Sequence, residues 1–422
     1  MNKEMKKTAV PKLRFPEFRA AGEWPFKNGD RVFNPISNKN HNSDLPILAI
    51  TQEQGAIPRD EINYTVIATD KSVESYKVVE VGDFIISLRS FQGGIEYSNY
   101  KGICSPAYII LRKKIDVEDH FFRYYFKTDL FIQDLNKNLE GIRDGKMVSY
   151  KQFSELLLPT PSIPEQQKIA ACLTTLDDLI SAQSEKIEAL QAHKKGLMQQ
   201  LFPAEGERVP RVRFGEFEGE WEEEILRNVC SYFKGYAFQS KDYTSKGRRI
   251  VRVSDMGFDY IKDETNAIYI SQEKTKQYEK WQLKKNDLIV TTVGSKPPVY
   301  DSLVGRTIVV QSKDENSLLN QNAVCLRAND KIEQGFLNIL FKKDEYINFI
   351  ESIIRGNANQ GSIALDDLFR YKFYKPKPKE QQKIAACLTS LDDLIAAHGQ
   401  QLEALKAHKK GLMQGLFPGG VV

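Results

Sequence analysis

The sequence predicts an α+β molecule built as a tandem repeat: two mixed α/β bodies separated by two long antiparallel helices, with pseudo-two-fold symmetry. Three observations carry this prediction. The segment from Glu165 to Pro203 recurs 215 residues later, from Glu380 to Pro418, identical at 30 of 39 positions without a gap. A shorter echo opens each half. Val10-Pro11-Lys12-Leu13-Arg14-Phe15-Pro16-Glu17-Phe18 is followed by Trp24, and Val209-Pro210-Arg211-Val212-Arg213-Phe214-Gly215-Glu216-Phe217 by Trp221. The stretches between these repeats are unlike each other, so one frame carries two different bodies. A repeat outranks local signals, because missing it misreads the whole fold.

The boundaries follow from the repeats. Residues 1–9 are expected to be a disordered N-terminus, 10–161 the first body and 162–203 the first long helix. Residues 204–376 form the second body, 377–418 the second long helix and 419–422 a C-terminal tail.

In the first body LPILAI, YKVVEVGDFIISL and SPAYIILR read as strands, with Gly and Asp at their turns. In the second, RRIVRVSDMG, KKNDLIVTTVG, VGRTIVVQ and QNAVCLRA do the same. Both bodies place an aspartate before an apolar strand that ends in a small polar loop: Asp83 before Phe84-Ile85-Ile86, and Asp287 before Leu288-Ile289-Val290. Each then has an aromatic-rich helical stretch, DHFFRYYFKTDLFIQDL and EQGFLNILFKKDEYINFIESI, whose rings at helical spacing read as core.

The repeated segment is helical because it contains no proline between Glu165 and Phe202 and is rich in Ala, Leu, Gln, Lys and Glu. Ile169, Leu176, Gln183, Leu190 and Leu197 recur every seven residues, with Leu173, Ile180, Ile187 and Leu201 on an adjacent row. Ser162-Ile163-Pro164-Glu165 has the pattern of a capping box, which Lys377 lacks in the second copy. Phe202-Pro203 and Phe417-Pro418 close the helices. Such a rod is roughly 55 Å long. Apolar residues extend around much of the helix between Ile169 and Ala182, more than one neighbour would bury. Gly196 and Gly411 sit inside the pattern at a cost of about 1 kcal/mol each, which close approach of another backbone would explain. The candidate docking positions for partner subunits are therefore Ile169, Leu173, Leu176, Ile180, Leu190, Gly196 and Leu197, with Ile384, Leu388, Leu391, Ile395, Leu405, Gly411 and Leu412 in the second copy.

Hydrophobic residues at 41% and charged residues at 27% describe a soluble chain of 422 residues. No apolar run approaches the roughly 20 residues needed to cross a bilayer. The start MNKEMKKTAVPKLRF lacks the apolar stretch of a signal peptide, so the expected location is cytoplasmic. A net charge of +4 is too small to establish nucleic-acid binding, and any such surface must come from local placement of charge. The five cysteines are widely separated with no CxxC pair, which argues against disulfide or zinc chemistry. No GxxxxGK[ST] loop, no HExxH and no Asp/Asn-Pro-Pro-aromatic motif occurs, so the chain reads as a recogniser and not a catalyst.

Loops carry the candidate base-reading residues. In the first body these are Arg89, Ser90, Gln92 and Gly93, with Arg143 and Lys146. In the second they are Ser295, Lys296, Asn320, Gln321, Arg355, Asn359 and Gln360. Arg and Lys match guanine, and Asn and Gln match adenine, by donor and acceptor geometry in the major groove.

The EQQKIA…LDDLI…LEAL…HKKGLMQ.LFP helix, its recurrence after a second variable body and the RFPEF…W opening resemble specificity subunits of type I restriction-modification systems. The resemblance spans nearly the whole chain, specific in the helices and openings and loose in the bodies. It implies that the two bodies are target recognition domains, each reading one half of a split DNA sequence. It implies that the helices set the unread spacer and dock two methyltransferase subunits, which modify adenine at N6 with S-adenosylmethionine. Two restriction/translocase subunits using ATP and Mg would join them to cut unmodified double-stranded DNA. No cofactor would then be bound by this chain. Two other readings remain open: a recognition chain for a fused restriction-methylation polypeptide, and a coiled-coil scaffold or inhibitor without DNA readout.

Overall fold

Each repeated segment is a single helix of 39 residues, Ile163–Leu201 and Pro378–Leu416, about 58 Å long at 1.5 Å per residue. The computed structural model describes residues 8–41, 44–62, 73–137, 148–257, 260–262, 266–296, 303–356 and 360–418. It divides into two compact units, one of Met1–Lys186 with Gly399–Val422, the other of Ile187–His398. Each unit thus owns one body, the opening half of the helix that follows it and the closing half of the other helix. Within the first unit the helix halves run antiparallel: Asp177 pairs with Lys409, and Gln183 donates to Gln401 at 3.3 Å. Within the second, Asp392 pairs with Lys194. The two ion pairs are the same pair displaced by the repeat.

The bodies share a framework that their sequences hide. In the first, an antiparallel sheet runs in the order Phe33–Ile36, Ile109–Lys113, Phe84–Ile86, Glu96–Tyr97. In the second the order is Cys230–Lys234, Ala323–Ala328, Leu288–Thr291, Thr307–Val309. The aspartates singled out above are buried at equivalent places. Asp83 accepts the backbone N–H of Glu80 and a bidentate pair from Arg112, both contacts of the guanidinium at 2.7 Å. Asp287 accepts the N–H of Lys284 and a bidentate pair from Arg327 at 2.8 and 2.7 Å. A buried carboxylate is tolerable only when its charge and lone pairs are both met, as they are here.

The aromatic stretches are core, as their spacing predicts. Each is a pair of helices broken at one corner: Asp119–Tyr125 and Asp129–Lys137, then Gln334–Leu340 and Asp344–Ile353. Phe33 lies 5.4 Å from Phe84 and 5.2 Å from Phe122, edge to face. Such pairs add about 0.5–1.5 kcal/mol to the burial of the rings. The same core takes Ile169 and Leu173 from one long helix and Leu416 and Phe417 from the other. In the second unit Ile384, Leu388, Leu201 and Phe202 enter the core in the same way.

The helix start departs from the expected capping box. Glu165 is 1% exposed, and its carboxylate turns to Arg14, at 2.7 and 2.8 Å, and to the indole N–H of Trp24, at 3.0 Å. In the second copy Glu380 holds Arg213 at 2.8 and 2.7 Å, while the Trp221 indole N–H has no partner. The next residue is equally committed. Gln166 accepts the Glu118 N–H at 3.0 Å and donates to Pro161 at 2.8 Å; Gln381 accepts from Glu333 at 2.8 Å and donates to Pro376 at 2.7 Å. The opening segments also bond to helix ends, Leu13 N–H to Gly415 at 2.8 Å and Val212 N–H to Gln200 at 3.0 Å. The basic-aromatic opening and the Glu-Gln helix start are therefore two halves of one clasp, present in each unit.

Beside its sheet the second body builds a lobe from chain on either side of the buried aspartate, residues 235–286 together with the strand Leu318–Leu319. Its strands run Tyr243–Thr244, Ile268–Ile270, Arg248–Val251, Leu318–Leu319, the last pair parallel. The first body has two short pairs in the corresponding stretch, Leu48–Thr51 with Gly55–Pro58, and Lys77–Val79 with Gly102–Cys104.

Candidate nucleic-acid interface

The central strand of each sheet delivers a loop at its end. After Phe84–Ile86 the chain tightens: Ser90 is 1% exposed, and its hydroxyl accepts the Ser87 N–H at 2.9 Å. One helical turn, Ser90–Gly93, follows. Gly94 has φ +81°, and a side chain there would meet the Phe126 carbonyl at 2.0 Å. Lys127 ties the loop down from below, donating to Gly93 at 2.9 Å and pairing with Glu96 at 2.5 Å. Burial pushes the Glu96 carboxyl up and the Lys127 ammonium down. What this scaffold leaves exposed is Leu88, Arg89 and Gln92, with Gly93 half-buried. Arg143 and Lys146 lie outside the described residues.

In the second body three loops converge at the end of Leu288–Thr291. Val293–Gly294 pairs with Gly361–Ser362, which places Ser295 and Lys296 beside Arg355. Lys296 donates to the Gly356 carbonyl at 2.8 Å, and Arg355 pairs with Asp367. The Asn320–Asn322 turn closes on the same strand end, with the Thr292 N–H on the Asn322 carbonyl at 2.8 Å. Asn322 has φ +70°, a left-handed conformation that asparagine tolerates. The Asn320 side chain accepts the Gln321 N–H at 2.8 Å. Gln321 and Gln360 are exposed, and Asn359 lies outside the described residues.

The structure therefore sorts the sequence candidates by task. Ser90, Asn320, Lys296 and Arg355 shape loops through their own bonds. Arg89, Gln92, Gln321 and Gln360 present side chains outward, and a guanidinium and primary amides are groups that fit base edges bidentately. Sequence reasoning missed an aromatic cluster beside Gln321, whose N–H donates to the Tyr236 carbonyl at 3.0 Å. Tyr236 stands 4.4 Å from Trp281 and 5.3 Å from Tyr278. The only signal was the aromatic pair in KGYAF and the one in QYEKW, neither of them periodic.

The helix positions need correction. Ile169, Leu173, Ile384 and Leu388 are at most 2% exposed because their own body's core consumes them, so they are not free to dock a partner, and Leu176 is 9% exposed. Leu391, Leu197 and Leu412 also pack partly against those cores. Ile180, Leu190, Ile395 and Leu405 are half-buried. A side chain added at Gly196 or Gly411 would meet nothing within 4 Å, so no neighbour in this chain requires either glycine. The exposed leucines on the helices are Leu179, at 49%, and Leu394, at 42%, which are the same position in the two copies. Each unit also has a groove at its helix end built on matching lysines, with Asp129 in the lining of the first and Glu205, Asp344, Glu345 and Asp392 in that of the second. One, of about 470 Å3, is lined by Lys127, Thr128, Lys409, Lys410, Met413 and Pro418. The other, of about 650 Å3, is lined by the matching Lys342, Lys343, Lys194, Lys195, Met198 and Pro203.

Burial pushes the Cys104 and Cys230 thiols up to about 12, and Cys325 higher still. Among the described residues no group of three His, Cys, Asp or Glu could hold a metal ion.

The sequence matches the family described as type I restriction modification DNA specificity domain twice, over residues 21–192 and 218–407. The chain belongs to that family. Members of this kind are specificity subunits, the non-catalytic DNA-recognition chains of restriction-modification complexes. The type I restriction enzyme MjaVIII specificity subunit of Methanocaldococcus jannaschii is 25% identical over 350 residues, covering 82% of this chain and 80% of its own. The putative MjaX specificity subunit of the same organism is 25% identical over 418 residues, covering 94% and 89%. In fold, the chain is similar to the S subunit of a type I system from M. genitalium, with TM-score 0.59, 16% identity and coverage of 97% and 100%. It is also similar to a chain solved in work on assembly and conformational transition of the type I system, with TM-score 0.55, 17% identity and coverage of 94% and 98%. The duplicated match takes in Trp24 with Glu165 and Trp221 with Glu380, so most of the duplicated frame of this specificity subunit falls within the family's match. No helix among the described residues is long and apolar enough to cross a membrane.

Proposed function

We propose that each body of this specificity subunit reads one half of a bipartite, asymmetric DNA target, and that the paired helices set the spacer between the halves. The observation that carries this reading is one framework, repeated down to the buried Asp–Arg pair and the clasp, that presents unrelated loops at the same strand end. Unlike loops on like frames read unlike half-sites, and an asymmetric target follows. The grooves at matching positions and the matching exposed leucines Leu179 and Leu394 suit two copies of one partner. That partner is an adenine-N6 methyltransferase, whose task is to flip out and methylate the base. S-adenosylmethionine belongs to the methyltransferase subunits, and ATP and Mg to two restriction/translocase subunits that add cleavage. The complex works in the cytoplasm.

The test is a body exchange. Replacing residues 10–161 with the corresponding body of another specificity subunit, in the presence of methyltransferase, should change one half of the methylated motif and leave the other half and the spacer intact. Methylation that ignores the exchange would refute the reading and favour a scaffold without DNA readout.

A further inference from the structure

The net charge of the chain is not spread evenly over its two bodies. Residues 235–286, the main stretch of the second-body lobe, hold eleven Lys and Arg against seven Asp and Glu. The corresponding stretch of the first body, residues 37–82, holds four against seven. The contrast is sharpest at one turn. The residue whose N–H caps the buried aspartate is Glu80 in the first body and Lys284 in the second, and Lys285 follows where the first has Val81.

Side chains in the lobe divide into two sets. The arginines are spent on its interior: Arg252 grips Asp255 at 2.7 and 3.0 Å, Arg249 reaches Asp314 at 3.6 Å, and Arg248 donates to the Asn316 carbonyl at 3.1 Å. Asp242, Asp255 and Asp314 are thereby neutralised inside the lobe, Asp242 by Lys274 at 2.6 Å. Lys276, Lys280, Lys284 and Lys285 are exposed and form no ion pair among the described residues. Local pairing therefore leaves a surplus of lysine ammonium groups on the outside, with Glu273 and Glu279 the exposed acids on the Gln272–Trp281 helix.

Of these lysines, Lys276 and Lys280 are held on the segment that packs beside the readout turn, while Lys284 and Lys285 precede Leu288–Thr291, at the other end of that strand. The 3-10 helix Gln272–Trp281 repeats every three residues, so Thr275, Tyr278 and Trp281 share one side. Tyr278 and Trp281 pack on Tyr236, whose carbonyl accepts the Gln321 N–H. Gln282 bridges to Leu318, two residues before Asn320. The lysine segment and the turn are thus parts of one packed lobe.

We infer that this lobe is a phosphate-tracking surface for double-stranded DNA, with Lys276 and Lys280 meeting backbone phosphates next to the bases read at Asn320–Asn322 and Lys284 and Lys285 meeting phosphates further along the same duplex. The first body has no equivalent among the described residues, so the electrostatic part of DNA binding falls mainly on the second. This rests on the DNA-recognition reading above. Phosphate contacts position a protein without specifying sequence, and each one neutralised adds about −0.9 to the slope of log K against log salt.

The experiment uses the complex with methyltransferase and a duplex carrying its methylated motif, with affinity measured between about 50 and 200 mM salt. Changing the four lysines to Gln should flatten the slope by about 3 to 4 and leave the methylated motif unchanged. Lys39→Gln with Lys101→Gln in the first body should move the slope by less than about 1. If the quadruple variant fails to assemble, the pairs Lys276/Lys280 and Lys284/Lys285 give the same readout at half the change. A steep wild-type slope that the lysine variants leave untouched overturns this inference while sparing DNA recognition. Absence of salt-dependent DNA binding by the wild-type complex overturns both.

Discussion

At the scale of residues, the most exacting contact is the carboxylate of Glu165, which answers a guanidinium and an indole at once. Removing one partner of a buried pair leaves the other uncompensated, so Glu165→Gln should destabilise the first unit by about 3 kcal/mol, read as a lower denaturation midpoint. The tryptophans offer a finer comparison, since Trp24 donates to Glu165 and Trp221 donates to nothing. Trp24→Phe should cost about 1 kcal/mol more than Trp221→Phe in the same assay. Equal losses would contradict the clasp as described. For readout, Arg89→Ala or Gln92→Ala should relax one base position of one half-site, a loss of about 1–3 kcal/mol in discrimination, and Gln321→Ala a position of the other. Sequenced methylation motifs check this; an unchanged motif in every variant would place readout elsewhere. Sequence reasoning could name these loops from their composition. It could not tell Arg89 from Ser90, because only the folded loop shows that Ser90 is spent on Ser87.

At the scale of elements, the long helices were legible because their propensities and their recurrence agree. Their starts were not. A local Ser-x-x-Glu pattern competed with a partner 151 residues away, and Arg14 won. The bodies were legible as strands and aromatic helices, yet their common sheet order was hidden, since sheets are specified by pattern and packing more than by identity. Two aspartates before two apolar strands were its only trace. The glycines inside the helices make a discriminating test. Gly196→Ala and Gly411→Ala meet no neighbour in this chain, so the subunit alone should gain up to about 1 kcal/mol each. If the methyltransferase approaches there, the same changes should weaken its retention on co-purification. Stabilisation with undiminished retention would move the docking surface away from the glycines.

At the scale of the whole molecule, the account makes one chain the carrier of two unlike readers on one duplicated frame. Its consequence is a single motif with two halves that change independently. Single-molecule methylome sequencing of a host with and without this gene, its methyltransferase present in both, tests that most directly. The account predicts that one bipartite, asymmetric N6-methyladenine motif disappears when the gene is removed. An unchanged methylome, with both subunits expressed, would contradict it.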